Sequence, residues 1–100
     1  MHGISIRYEF DGDEESWKRM IDTFISAVDA DPDIAGKFSY RVSKAKEGKT
    51  RVHWGTWDTS ETVATLQSRD YFKAFAAELK GLAGDTLDAV QIAEVASTAR

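Results

Sequence analysis

Few side chains in this sequence could carry chemistry near neutral pH, because it contains no cysteine and only two histidines. His53 lies in a segment that alternates like a β-strand, whereas His2 lies next to the first residue. Histidine can act as a base near neutral pH, so His53 is the candidate catalytic residue, a base that would deprotonate a phenol or a quinol. The alternative is a structural histidine that packs in the core and forms one hydrogen bond.

Aromatic side chains provide the second set of candidates. A small-molecule site needs apolar walls with a few polar tips. Five residues could form such a ligand-binding pocket between a sheet and its helices: Tyr8, Trp17, Tyr40, Trp54 and Phe72. Aromatic residues at strand or helix spacing also commonly fill a core. The same five residues therefore have a structural interpretation as well.

No metal or cofactor site is expected. The acidic run from Glu9 to Glu15 surrounds a predicted helix start and lacks the spacing of a calcium loop, so helix capping explains it. The two histidines do not have metal-ligand spacing, and the seven glycines form no phosphate-binding loop. The prediction is therefore no metal and no bound cofactor.

Hydrophobic periodicity predicts the elements that must position these side chains. A helix is expected after Asp11 and must end before Pro32. A second helix is expected after Asp58, with a break near Ser68. Asp11 and Asp58 are the predicted N-caps, because an aspartate there can accept hydrogen bonds from the first helical N–H groups. Alternation of apolar and polar residues predicts four strands, over residues 4–10, 37–43, 50–57 and 86–95.

The order βαββαβ predicts an α+β, ferredoxin-like fold, in which a four-stranded antiparallel sheet carries both helices on one face. One such domain over residues 1–100 is expected, with a tail at 96–100 that frays. The pattern does not determine which face of strand 50–57 meets the helices.

The second face of this sheet must meet water or a partner. Trp54 and Trp57 point to opposite faces of the third strand, and Val90 and Ile92 lie opposite Leu87 in the last strand. A strand that is apolar on both faces is expected to be covered on both faces. Because a single domain seldom keeps such a patch exposed, we expect a homodimer in which the two sheets pack face to face.

Several segments carry a resemblance to a known family. They are Trp57-Asp58-Thr59-Ser60-Glu61, then Leu66, Gln67-Ser68-Arg69-Asp70 and Tyr71-Phe72-Lys73-Ala74-Phe75, with Ala35-Gly36-Lys37-Phe38 at the turn into the second strand. The chain resembles, over nearly its whole length, the antibiotic-biosynthesis-monooxygenase-like (ABM) family of the dimeric α+β barrel superfamily. The resemblance implies the ferredoxin-like fold and the sheet-to-sheet dimer.

The ABM family includes cofactor-independent oxygenases that act on polyketide-like aromatics or quinols, and also haem-degrading enzymes. The haem-degrading members carry a tryptophan at the position of Leu66, a haem-ligating histidine at the position of Ala76, and an asparagine in the first strand. This sequence departs from them at all three places, which disfavours haem degradation. The resemblance implies a monooxygenase-like protein that binds a small aromatic or quinone-like molecule. The alternative is a non-enzymatic dimeric module that binds a small ligand or simply associates.

Composition limits the remaining partners. The chain of 100 residues has 13 Lys and Arg against 17 Asp and Glu, a net charge of −4, so no concentrated basic surface for nucleic acid is expected. No apolar run approaches the ~18 residues that a membrane span requires. Residues 1–5 lack the charged region and the apolar core of a signal peptide. We therefore expect a cytoplasmic protein that binds neither nucleic acid nor membranes.

Overall fold

The computed structural model describes residues 2–99, and its element order is the predicted one, with the second helix interrupted as expected. A short 3₁₀ turn, Gly84–Thr86, follows the last helix. Residues 94–99 form neither helix nor strand. Met1 and Arg100, which belong to the predicted N-terminal segment and to the predicted tail, lie outside the described residues. The elements are β1 (His2–Glu9), α1 (Glu14–Ala30), β2 (Phe38–Lys44), β3 (Thr50–Trp57), α2 (Ser60–Ser68), α3 (Asp70–Ala83) and β4 (Asp88–Ala93).

The four strands form one sheet in the order β2-β3-β1-β4, and every neighbouring pair is antiparallel. The helices bury their apolar stripes on one face of this sheet, around a core that includes Phe24, Leu66, Phe75 and Leu79. The predicted α+β, ferredoxin-like architecture is confirmed. None of the described helices has both the length and the apolar character needed to cross a membrane.

Burial along β3 decides which face of that strand meets the helices. Arg51, His53 and Gly55 are buried, whereas Trp54 between them is 41% exposed. The helix-facing side of the sheet therefore carries His53, and the opposite side carries Trp54. Because successive residues of a strand point to opposite faces, this one observation orients the whole strand.

The two predicted N-caps are wrong by one or two residues. Asp13, not Asp11, caps α1, and its carboxylate accepts from the N–H of Ser16 at 3.0 Å. The cap of α2 is Thr59, while the Asp58 carboxylate accepts from the N–H of Thr59 at 2.7 Å. The chain stays non-helical through Asp11 because the N–H of Phe10 still bonds back to the neighbouring hairpin, which delays the first helical turn.

Ion pairs hold the break between α2 and α3 in place. Arg69 lies at the break, and its Nε donates to Oδ2 of Asp31 at 2.9 Å while its Nη2 donates to Asp33 at 2.7 Å. The hydroxyl of Tyr71 donates to the same Asp31 oxygen at 2.8 Å. These contacts tie the start of α3 to the end of α1, so the wall that α3 presents to the sheet has a defined position.

The last strand differs from its prediction. It spans Asp88–Ala93, and all six of its residues are exposed. The expectation that both of its faces are covered is wrong for the single chain. The reason is its place in the sheet, because β4 is an edge strand with β1 on one side.

Candidate functional site

A buried chain of hydrogen bonds runs through the helix-facing side of the sheet. The ring nitrogen Nε2 of His53 lies 2.8 Å from the hydroxyl of Tyr8, and Nδ1 lies 2.7 Å from the hydroxyl of Tyr40. The indole N–H of Trp17 donates to the Tyr8 hydroxyl at 2.7 Å. His53 itself is 0% exposed. We call the set Trp17, Tyr8, His53 and Tyr40 the relay.

Strand pairing brings the relay together. His53 pairs with Ile6 on β1 and with Val42 on β2. Tyr8 lies two residues from Ile6, and Tyr40 lies two residues from Val42, so both share the helix-facing side of the sheet with His53. They are its diagonal neighbours, one on each adjacent strand. Trp17 reaches them from the beginning of α1, where it is buried against the sheet. Three strands and one helix thus each supply one member.

Burial keeps the relay uncharged at neutral pH. Desolvation lowers the pKa of His53 to about 4, so its imidazole is neutral. Desolvation also raises the pKa of both Tyr8 and Tyr40, so both phenols keep their protons. Neutral groups that satisfy one another in this way can stay buried without the cost of an unpaired charge.

Arg51 is a site residue that the sequence reasoning missed. Its side chain is 4% exposed, forms an ion pair with Glu14, and donates to the carbonyl of Phe10 at 3.2 Å. Its guanidinium also lies 4.4 Å from the ring centroid of Trp17. This stacking fixes the indole that donates into the relay. The sequence pattern that could have identified Arg51 is alternation, since Arg51 lies two residues before His53 and therefore shares its face of the strand.

Beside the relay lies a cavity of about 300 Å³ between the helices and the sheet. Its walls are mainly apolar and aromatic, with Phe24, Phe72 and Phe75 among them. Tyr40 contributes to the same wall. Exposed Gln67 and Gln91 also line the cavity, so it reaches the surface near β4. Apolar walls with a few polar groups suit a small aromatic ligand.

The predicted site residues separate into three places. Tyr40 and Phe72 line the cavity, as a ligand-binding role requires. Tyr8, Trp17 and His53 lie behind that wall in the core, where they support Tyr40 without lining the cavity. Trp54 requires a correction, because it lies on the opposite face of β3 and cannot contribute to a pocket under the helices. The catalytic role of His53 stays a prediction.

The positions that the family resemblance associated with haem also fall on this cavity. Leu66 and Ala76 both line it. Neither leucine nor alanine has an atom that can ligate iron. Among residues 2–99, no three His, Asp or Glu side chains are grouped so that they could hold a metal ion.

Solved structures share this architecture across the whole chain. A protein from Mycobacterium tuberculosis, Rv0793, matches with a TM-score of 0.77 at 12% identity, over 98% of each chain. The chain has an ABM-like fold. SnoaB, a cofactor-independent oxygenase from Streptomyces nogalater, matches with a TM-score of 0.77 at 11% identity, over 99% of this chain and 97% of SnoaB. A third structure, of an antibiotic biosynthesis monooxygenase, matches with a TM-score of 0.66 at 9% identity, over 96% and 100% of the two chains.

The predicted ABM-like resemblance is therefore confirmed at the level of the fold. In the comparisons of sequence, no family model and no curated protein matches this chain. At such low identities a shared fold does not transfer an activity, so the function must be argued from the cavity and the relay.

Proposed function

We propose that this protein binds a small aromatic or quinone-like molecule in the cavity beside Tyr40 and oxidises it as a cofactor-independent monooxygenase. The observation that carries the proposal is the cavity itself, which combines aromatic walls with the partly buried side chain of Tyr40. The fold that the chain shares with SnoaB, a cofactor-independent oxygenase, supports the same reaction class.

The chemistry demands little of the protein. An activated aromatic CH₂ group, such as that of anthrone, loses a proton, and the resulting carbanion reduces molecular oxygen directly. The CH₂ group becomes a carbonyl, one oxygen atom enters the product, and the other leaves as water with the two hydrogens. The protein needs to hold the substrate, stabilise its anion and exclude water. The aromatic walls would hold the rings, and Tyr40 would contact the oxygen of the substrate.

Anthrone is a suitable first probe, with oxygen uptake and anthraquinone formation as the two readouts. We expect turnover above the buffer rate for the native chain. In the Ala76→Trp variant, the indole would enter the cavity and abolish the excess rate. Ala77→Trp is the matched control, because Ala77 is an exposed neighbour on α3 that does not line the cavity. Equal rates in the two variants would contradict the proposal.

A second candidate function is a non-enzymatic module that binds the same class of ligand. It is favoured by the low pKa of His53, about 4, which makes the predicted base weak at neutral pH. Menadione, a quinone with two fused rings, separates the two functions when it is titrated by calorimetry. Binding that Ala76→Trp removes, without any anthrone turnover, would favour the module. Absence of both binding and turnover would contradict both functions.

We also propose that the chain forms a homodimer through the open face of its sheet. Val90 is 50% exposed and Ile92 is 40% exposed on that face, which also carries the 41% exposed Trp54 on β3. Exposed apolar groups of this size on one face of a sheet favour a self-complementary contact. Light scattering should give about twice the chain mass of 11.1 kDa. Trp54→Glu should reduce the mass to that of one chain, whereas Lys80→Glu, at an exposed position of α3 on the other side of the sheet, should not. A native mass of one chain would contradict the dimer.

A further inference from the structure

The hydrogen bonds of the relay have a direction that follows from donor and acceptor counts. An indole N–H can donate but cannot accept, so the Tyr8 oxygen must be the acceptor of the bond from Trp17. A phenol also carries one hydrogen to donate. Within residues 2–99, the only other partner of the Tyr8 hydroxyl is Nε2 of His53, at 2.8 Å. Leaving that buried hydrogen unpaired would be costly, so Tyr8 donates to Nε2.

The direction then passes through the imidazole. A neutral histidine whose Nε2 accepts must carry its hydrogen on Nδ1. Nδ1 therefore donates to the Tyr40 oxygen, which lies 2.7 Å away. The hydrogen of the Tyr40 hydroxyl finds no acceptor among the described residues. Tyr40 is also the member of the relay that lines the cavity. The last hydrogen of the relay is thus left for a ligand.

We propose that the relay runs in one direction, from Trp17 through Tyr8 and His53, and that Tyr40 consequently offers its O–H as a hydrogen-bond donor to an acceptor oxygen of the ligand. The part of this inference that concerns the ligand rests on the proposed function. Tyr40 would contact the ligand, whereas Trp17, Tyr8 and His53 are positioning residues that act through it. The fitting chemical class is a carbonyl, a quinone or the enolate formed from one, because each presents an oxygen that accepts.

This direction changes the role of His53. A base that worked through Tyr40 would need a free Nδ1 to receive the proton, and Nδ1 already carries a hydrogen in this arrangement. The relay instead stabilises negative charge that develops on the ligand oxygen, as preorganised donors do in an oxyanion hole. The proton from the substrate carbon would then leave by another route, to solvent at the mouth of the cavity.

The tautomer of His53 tests the direction without any ligand. We expect ¹⁵N NMR of the ligand-free protein to show a hydrogen on Nδ1 and an unprotonated Nε2. In Trp17→Phe the Tyr8 hydrogen still has only Nε2 to donate to, so the Nδ1–H form should persist. In Tyr40→Phe the Nδ1–H form should persist, because Tyr8 still donates to Nε2. A native His53 with its hydrogen on Nε2 would overturn the proposal, whether or not the variants fold.

Two compounds of similar shape test the donor role. Menadione has acceptor oxygens, and 2-methylnaphthalene has the same ring system without them. We expect Tyr40→Phe to weaken menadione binding about tenfold, the value of one hydrogen bond, and to leave 2-methylnaphthalene unaffected. Equal losses for both would overturn the donor role. If neither compound binds the native chain, the proposed function and the ligand part of this inference both fail, while the tautomer still decides the direction.

Discussion

Lowering the pH should destabilise this fold because His53 cannot take up a proton where it lies. Its imidazole is fully buried, both nitrogens are engaged by tyrosines, and desolvation lowers its pKa from 6.5 to about 4. Between these two values the unfolded chain binds a proton that the folded chain does not bind. Stability therefore falls as the pH drops through this interval and is fully present above pH 6.5.

The size of the effect follows from the two pKa values. With 6.5 in the unfolded chain and about 4 in the folded chain, lowering the pH from 7 to 5 should reduce the free energy of unfolding by about 2 kcal/mol. Carboxylates contribute little to the loss of stability between pH 7 and pH 5, because they take up protons at lower pH. The pKa of Glu14, for example, is held below its usual 4.5 by Arg51, so its share is lost at lower pH.

Urea denaturation at pH 7, 6 and 5, followed by tryptophan fluorescence, measures this change. His53→Gln is the comparison, since glutamine does not titrate and can still bond to one tyrosine. We expect the variant to be less stable at pH 7 and to show a much flatter dependence on pH. A native free energy of unfolding that is constant from pH 7 to 5, or the same slope in the variant, would refute the reasoning.

Two further predictions concern the buried hydrogen bonds and the packing of the sheet. Tyr8→Phe leaves both the Trp17 indole and Nε2 of His53 without a partner, and should lower the free energy of unfolding, measured by urea denaturation, by roughly 2–4 kcal/mol. Tyr40→Phe leaves only Nδ1 of His53 unpaired and should lower it by about half as much. Equal losses in the two variants would argue against the relay. Gly3→Ala would place its Cβ 2.5 Å from the carbonyl oxygen of Gly55 and should lower the thermal midpoint, whereas a midpoint matching the native chain would contradict this packing.

Much of the fold could be predicted from the sequence because periodicity is a local property. The alternation of Phe38, Tyr40 and Val42 and the break near Ser68 both appear in the structure at the predicted places. The N-caps could not be fixed in this way. Asp11, Asp13 and Asp58 are all chemically able to cap, and the backbone bond from Phe10 to the hairpin decides where the first helix begins.

The candidate site was predicted less completely. Tyr40 and Phe72 were identified by residue type, and both line the cavity. Trp54 was chosen on the same grounds but lies on the other face. The sequence could not show this, because both faces of β3 carry apolar or aromatic residues. Arg51 was missed because its importance comes from its contacts with Glu14 and Trp17, which both lie more than thirty residues earlier in the chain, in the first turns of α1.

The sequence by itself determined the elements, their order and the small set of residues able to do chemistry. Those properties depend on spacing along the chain and on side-chain type. The tertiary structure alone decided that the imidazole of His53 lies between two phenols, one of them 45 residues away in the chain. It also decided that, of these two tyrosines, Tyr40 and not Tyr8 lines the cavity. Strand register and burial produce both results, because they join distant residues and remove water from between them.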